Sequence, residues 1–212
     1  MVFNYSKDND YHTQINNRRL PLSTCNTTSM IMALKQAGVS LPFPTDVQPE
    51  DFLTDFLRRP EVYRKMKEMT PWFFDRETGK ATVAPNEVHQ MLEWGVNTLL
   101  KKQVDRFSTG VSIETIIAHL KNGGGVVLSG EFRLKNRNLH HIVSLAGFVT
   151  DRHEDVTHFI IDDPFGNFRT DYCDHHGNNI MITRDEFVGI FKPGGNETVK
   201  WAHLVTSIHD CS

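Results

Sequence analysis

Three residue types in this chain could together perform thiol-based acyl chemistry: a cysteine at a helix start, a histidine opening a strand, and an aspartate at the end of the following strand. A free thiol is a poor nucleophile until it is deprotonated. The N–H groups and dipole of a helix N-terminus favour the thiolate. An adjacent imidazole favours it further as a thiolate–imidazolium pair, and a third polar group must hold that imidazole in one tautomer. Cys25 follows the loop Leu20–Thr24 and opens the segment TCNTTSMIMALKQAG. His141 opens HIVSLAGF with His140 beside it, and alternation along a strand sends only one of the two to a site. Asp163 stands at the end of FIID, before Pro164, and the same alternation sends Asp162 to the other face. Each has an ordinary alternative. Cysteine is a common small packing group, most of 11 histidines must be surface or structural, and aspartate before proline commonly forms a turn.

These side chains depend on the elements beneath them. Met30, Ile31, Leu34 and Ala37 recur at helical spacing after Cys25, and Gly38 stops that helix, with Thr24 or a polar neighbour to cap it. Further helices are expected over 50–57 (EDFLTDFL), 60–69 (PEVYRKMKEM), from Pro85 (PNEVHQMLEWG) and over 112–121 (SIETIIAHLK). Ser112 begins the last, and Gly123–Gly125 ends it. Then the character changes: VVLSGEF, HIVSLAGF, HFIID, NIMIT and WAHLVTSI are short β-branched runs between turn residues, about five antiparallel strands. Residues 1–24 read as an irregular polar arm. Helices followed by strands give an α+β fold, a single domain over 1–212 with a helical lobe at about 25–122 and a sheet lobe at about 123–212. Trp72, Phe73, Phe74 and Trp94 read as core packing.

The segment TQINNRRLPLSTCNTTSMIMAL resembles the start of the C39-like branch of papain-like cysteine peptidases, where a glutamine leads into a loop, a Thr-Cys-Asn stretch and a helix with Thr/Ser and Met. HIVSLAGF is similar to the histidine strand of those enzymes, in which a gap of five residues precedes Gly-Tyr or Gly-Phe. His141 and Gly147 have that gap and His140 does not. FIIDDPFGNF is similar to the next strand, where C39-like proteins carry Asp-Pro-aromatic-Gly and papain carries Asn for the Asp. The resemblance implies a two-lobe papain-like fold, with Cys25 as nucleophile, His141 as base and Asp163 orienting it. Gln14 would join the Cys25 N–H in holding the oxyanion. Asn26 departs from the pattern, since many relatives carry Gly there.

Composition narrows the partners. The chain has 212 residues, 39% hydrophobic and 23% charged, with a formal charge of −3. That is no basic footprint for nucleic acid. No apolar run approaches membrane-spanning length, and MVFNYSKDNDYHTQ lacks a signal peptide's apolar core, so a soluble chain made in the cytoplasm is expected. Three cysteines, Cys25, Cys173 and Cys211, do not suit a disulfide framework, and Cys211, next to last, is given no role. In YCDHHGNN (172–179), Cys173, Asp174, His175 and His176 could ligate a metal, but no CxxC or HxxxH partner exists elsewhere and Gly177-Asn178 reads as a hairpin turn. The expectation is therefore a cysteine hydrolase of amide or peptide bonds needing no cofactor or metal. Its substrate would be a peptide or peptidoglycan, and by analogy with its family it would be a phage-type lysis enzyme released to act on the cell wall. A protein-directed protease, an acyltransferase and a non-catalytic binding module on the same fold are the alternatives.

Overall fold

The structure is a computed structural model, and it describes residues 1–69, 85–191 and 198–207. Trp72, Phe73, Phe74 and Cys211 lie outside the described residues. Helices α1 (Cys25–Gln36), α2 (Pro49–Leu57), α3 (Pro60–Met69) and α4 (Pro85–Leu100) occupy most of the first half. The chain then forms a seven-stranded antiparallel sheet from β1 (Val2–Asn4), β2 (Asp105–Ser112), β3 (Gly125–Arg133), β4 (Asn138–Thr150), β5 (Val156–Asp162), β6 (Ile180–Thr183) and β7 (Thr198–Val205), with α5 (Ile113–Lys121) and α6 (Arg184–Phe191) interspersed. The α+β class is thus as expected, and the five anticipated strands are β3 to β7.

The helices end where local chemistry ends them. Beyond α1, Gly38 takes φ +70°, and the Gly38 and Val39 N–H groups close on the Lys35 and Leu34 carbonyls, which satisfies two carbonyls of the last turn. Pro49 opens α2 at a position that needs no N–H. The Ser112 side chain accepts from the Thr115 N–H and caps α5. One boundary differs from expectation: α4 runs through Gly95 to Leu100. Gly95 sits against α2, where an added Cβ would lie 2.4 Å from Leu57 Cδ2, so the glycine serves a helix crossing rather than a stop.

Two strands and one helix were not foreseen. Strand β1, only three residues, lies inside the supposed irregular arm and pairs with Gly147–Val149 of β4. Strand β2 (DRFSTGVS) is a polar edge strand beside β7, without the alternation that marks a half-buried strand. Helix α6 is eight residues long and buries Phe187, Ile190 and Phe191.

The sheet order is β2-β7-β3-β4-β5-β6. β4 is its spine: residues 138–144 pair with β3, and residues 144–150 pair with β5. Two cores follow from strand alternation. On one face α1, α2 and α4 cover Val127, Ile142 and Val205. On the other, α5 and α6 cover Val126, Leu128, Val143, Leu145 and Phe148. α5, counted with the helices from sequence, therefore packs with the sheet. Helix α1 lies close enough to β3 that a Cβ on Gly125 would meet the Ala33 carbonyl oxygen at 2.0 Å. Ser29 Oγ donates to the Ile142 carbonyl at 3.0 Å and pins α1 to the spine strand one residue past His141.

Candidate active site

Cys25 is the first residue of α1, half-buried and free. Thr24 is the N-cap residue by position, yet its side chain makes no capping bond. Its hydroxyl accepts from Asn17 Nδ2 at 2.9 Å, and the same amide donates to Thr28 Oγ1 at 3.0 Å. Asn17 thereby ties the preceding loop to the first turn. Asp51 of α2 accepts from the Arg18 and Arg19 N–H groups at 3.1 Å and ties the loop from its other side. The helix end at Cys25 is thus held by its flanks, with no side chain competing for its first-turn N–H groups.

His141 lies on β4 and is 4% exposed; Asp163 follows β5 and is fully buried. His141 Nε2 stands 2.7 Å from Asp163 Oδ1. A carboxylate only accepts, so Nε2 carries the proton and Nδ1 is left for another partner. Burial alone would push the imidazole down. The charge and hydrogen bond of Asp163 first, and the nearby Cys25 after them, outweigh it and hold His141 up to about 10. Asp163 and His141 thus form a buried hydrogen-bonded pair, with the Cys25 thiol of the α1 N-terminus among the groups that act on the imidazole.

The neighbours expected to point elsewhere do so. His140 is exposed, bonds Ser129 Oγ at 3.0 Å and meets Trp201 edge-on. Asp162 accepts from the Asn179 N–H and from Ser6 Oγ, each at 2.8 Å.

Gln14 is 2% exposed and sits in a single turn of 3-10 helix, Gln14–Asn16. Its N–H donates to the Pro164 carbonyl at 2.8 Å and its Nε2 to the Pro21 carbonyl at 2.7 Å, so it bridges the Asp163 corner and the loop before Cys25. Its Oε1 has no partner among the described residues. Gln14 thus shares the site's two loops, while its amide makes its one hydrogen bond to Pro21.

Sequence reading missed the groups that hold Asp163. Asp163 Oδ1 also accepts from the Phe165 N–H at 2.9 Å, and the Tyr172 hydroxyl donates to Oδ2 at 3.2 Å. Tyr11 donates to the Asp163 carbonyl at 3.1 Å and accepts from the Gly177 N–H at 3.0 Å. Burial leads in pushing the Tyr11 phenol up to about 12, so it stays a donor. The rings of Phe132, Phe165 and Tyr172 stand edge-on to His141 at centroid distances of 5.5, 6.3 and 5.8 Å. Tyr172 was visible only as the first letter of the stretch weighed as a metal motif, and Tyr11 lay in the polar arm.

That stretch forms part of a long connection, 163–179, instead of a tight hairpin. Gly177 abuts the Asp163 carbonyl, where a Cβ would lie at 2.0 Å, so its glycine character is a matter of close approach. Cys173 is exposed, Asp174 Oδ1 accepts from the His176 N–H, and His176 packs on Tyr11. Among the described residues no group of three or more His, Cys, Asp or Glu side chains could hold a metal ion. No helix among them is long and apolar enough to cross a membrane.

A second buried chain lies under α4. His203 Nδ1 stands 2.8 Å from Asp105 Oδ2, and His203 Nε2 stands 2.9 Å from His89 Nδ1. Burial leads in pushing His89 down to about 3, with the charges of His203 and His140 adding to it.

Residues 6–186 match the Peptidase_C39 like family. Among solved structures, a candidate C39-like peptidase from Bacillus anthracis aligns over 92% of this chain and 93% of its own, with a TM-score of 0.50 and 17% identity, a likeness of fold. A search of curated proteins gives no match.

Proposed function

The chain belongs to the Peptidase_C39 like family, and from that premise we propose that it is a cysteine peptidase acting through an acyl-enzyme on Cys25. The observation that carries the proposal is the buried hydrogen bond between Asp163 and His141, with Cys25 beside that imidazole at the N-terminus of α1. The Cys25 thiolate attacks the substrate carbonyl. The His141 imidazolium gives its proton to the leaving amine, then takes one from the water that hydrolyses the thioester. Asp163 keeps Nε2 protonated and the ring oriented. The oxyanion is held by the Cys25 N–H and by Gln14, whose Nε2 has one N–H left beyond its bond to Pro21.

The substrate class is a peptide amide, and the cross-linking peptide of a bacterial cell wall is the member of that class the chain is proposed to cut. Turbidity loss of purified peptidoglycan, set beside cleavage of a peptide library, tests that choice. Ligated rather than hydrolysed products would mean acyl transfer. The nucleophile is tested by iodoacetamide labelling across pH, read by peptide mass spectrometry. Cys25 is expected to alkylate at least about tenfold faster than the exposed Cys173 near neutral pH, and to lose that advantage in His141→Ala. Equal rates in both proteins would leave a binding module on this fold.

A further inference from the structure

Asp163 is fully buried, and its two oxygens are not equally served. Oδ1 accepts from His141 Nε2 and the Phe165 N–H; among the described residues Oδ2 accepts from the Tyr172 hydroxyl alone. Tyr172 is 5% exposed, and its ring meets Phe165 at 4.8 Å and His141 at 5.8 Å, both edge-on. Its backbone has φ +62°, directly after Asp171 at φ +53°. Two successive left-handed residues, one of them bulky and neither glycine, are costly and persist only where the surroundings over-determine them. The surroundings here are polar and specific. The Tyr172 N–H donates to the Asn167 carbonyl, Asp171 Oδ1 accepts from the Lys135 N–H at 2.8 Å, and the Asn167 N–H donates to the Asp174 carbonyl at 2.8 Å. The 163–179 connection is thus wound so that one phenol returns to the carboxylate nine residues before it.

We propose that Tyr172 is a positioning residue of the catalytic apparatus: its hydroxyl holds the Asp163 carboxylate in the one orientation that serves His141, and its ring keeps water off that pair. The inference rests on the reading of Cys25, His141 and Asp163 as the reacting set. The groups facing the phenol are Asp163, His141, Cys25 and, at longer range, Arg137. Burial first, then the Asp163 and Cys25 charges, raise the phenol well above its ordinary 10.0, so the hydroxyl remains a donor wherever the enzyme works. Without that hydroxyl, buried Oδ2 must regain a donor, either by taking a proton or by turning away from Nε2. Both routes weaken the hold on the imidazolium.

The test is Tyr172→Phe, which keeps the ring and removes one oxygen, read by the pH profile of Cys25 alkylation and by Tm. The midpoint for appearance of the reactive thiolate is expected to rise by about one unit, and the rate at pH below the wild-type midpoint to fall about tenfold, as for loss of a hydrogen bond to a charged group. In an Asp163→Asn background the same substitution should change nothing further, because Tyr172 acts through that carboxylate. A lowered Tm with an unmoved or lower midpoint, or an equal effect in the Asp163→Asn background, would overturn the assignment and leave Tyr172 as packing. Wild-type Cys25 whose reactivity does not depend on His141 would remove the reacting set itself, and this role with it. That outcome is read on the wild type and His141→Ala alone, so the two failures are distinguishable.

Discussion

Among the described residues, the Asp163 carboxylate accepts from the His141 ring, the Phe165 N–H and the Tyr172 hydroxyl. An amide in its place can keep its oxygen on His141 and Phe165 and turn its N–H to the hydroxyl, which also accepts. Asp163→Asn should therefore keep the ring oriented but remove the charge that supports the imidazolium, and lower turnover about 10- to 100-fold. Its measure is kcat on the cleaved peptide, with folding checked by Tm. At this scale the sequence was informative about the reacting types and silent about their support. Cys25, His141 and Asp163 could be picked out by their order along the chain, although His141 was expected to open its strand and lies inside β4, which begins three residues earlier at Asn138. Tyr172 and Tyr11 could not, because nothing local to a tyrosine announces that a chain reversal will bring it to a carboxylate. His140 and His141 were separable only by a spacing borrowed from a family, and the structure gives the two rings different partners.

Elements hold the site by where they cross. The Ser29 bond to Ile142 joins the second turn of α1 to the strand that carries His141, with 113 residues of chain between them. Ser29→Ala would leave that carbonyl short of a buried partner at a cost of about 1–3 kcal/mol. Denaturant midpoints should show the loss, and Cys25 labelling should slow less than in Asp163→Asn, since the Asp163 charge and its bond to His141 stay intact. Long periodic elements were legible: α1, α2 and α5 begin and end close to their expected bounds. β1, β2 and the last turn of α4 were not. Three residues carry no alternation, a polar edge strand imitates a loop, and Gly95 looks like a stop until Leu57 is seen to need its empty space.

Across the whole molecule, two buried imidazoles bias stability in opposite directions. His89 is held down to about 3 from 6.5. Between those values the unfolded chain binds a proton that the folded chain refuses, so stability falls as pH drops through that window. His141 is held up to about 10 from the same 6.5. Its contribution is complete below 6.5 and is lost as pH rises through 10. Together they predict greatest stability near 6.5, measurable by denaturant titration on either side. His89→Phe should flatten the acid limb alone, whatever its overall offset. The arm formed by residues 1–24 also works at this scale. Ser6, Tyr11, Thr13 and Gln14 all bond the Asp162–Pro164 corner. The surroundings of His141 and Asp163 are therefore stitched from the first fifteen residues, from the middle of the chain and from residues 163 to 179. Their assembly belongs to the slowest class of folding events, in which distant segments must meet before any local contact rewards them. During refolding, helices would return first and the proposed site last, so the recovery of Cys25 reactivity would serve as a chemical clock for completion of the native topology.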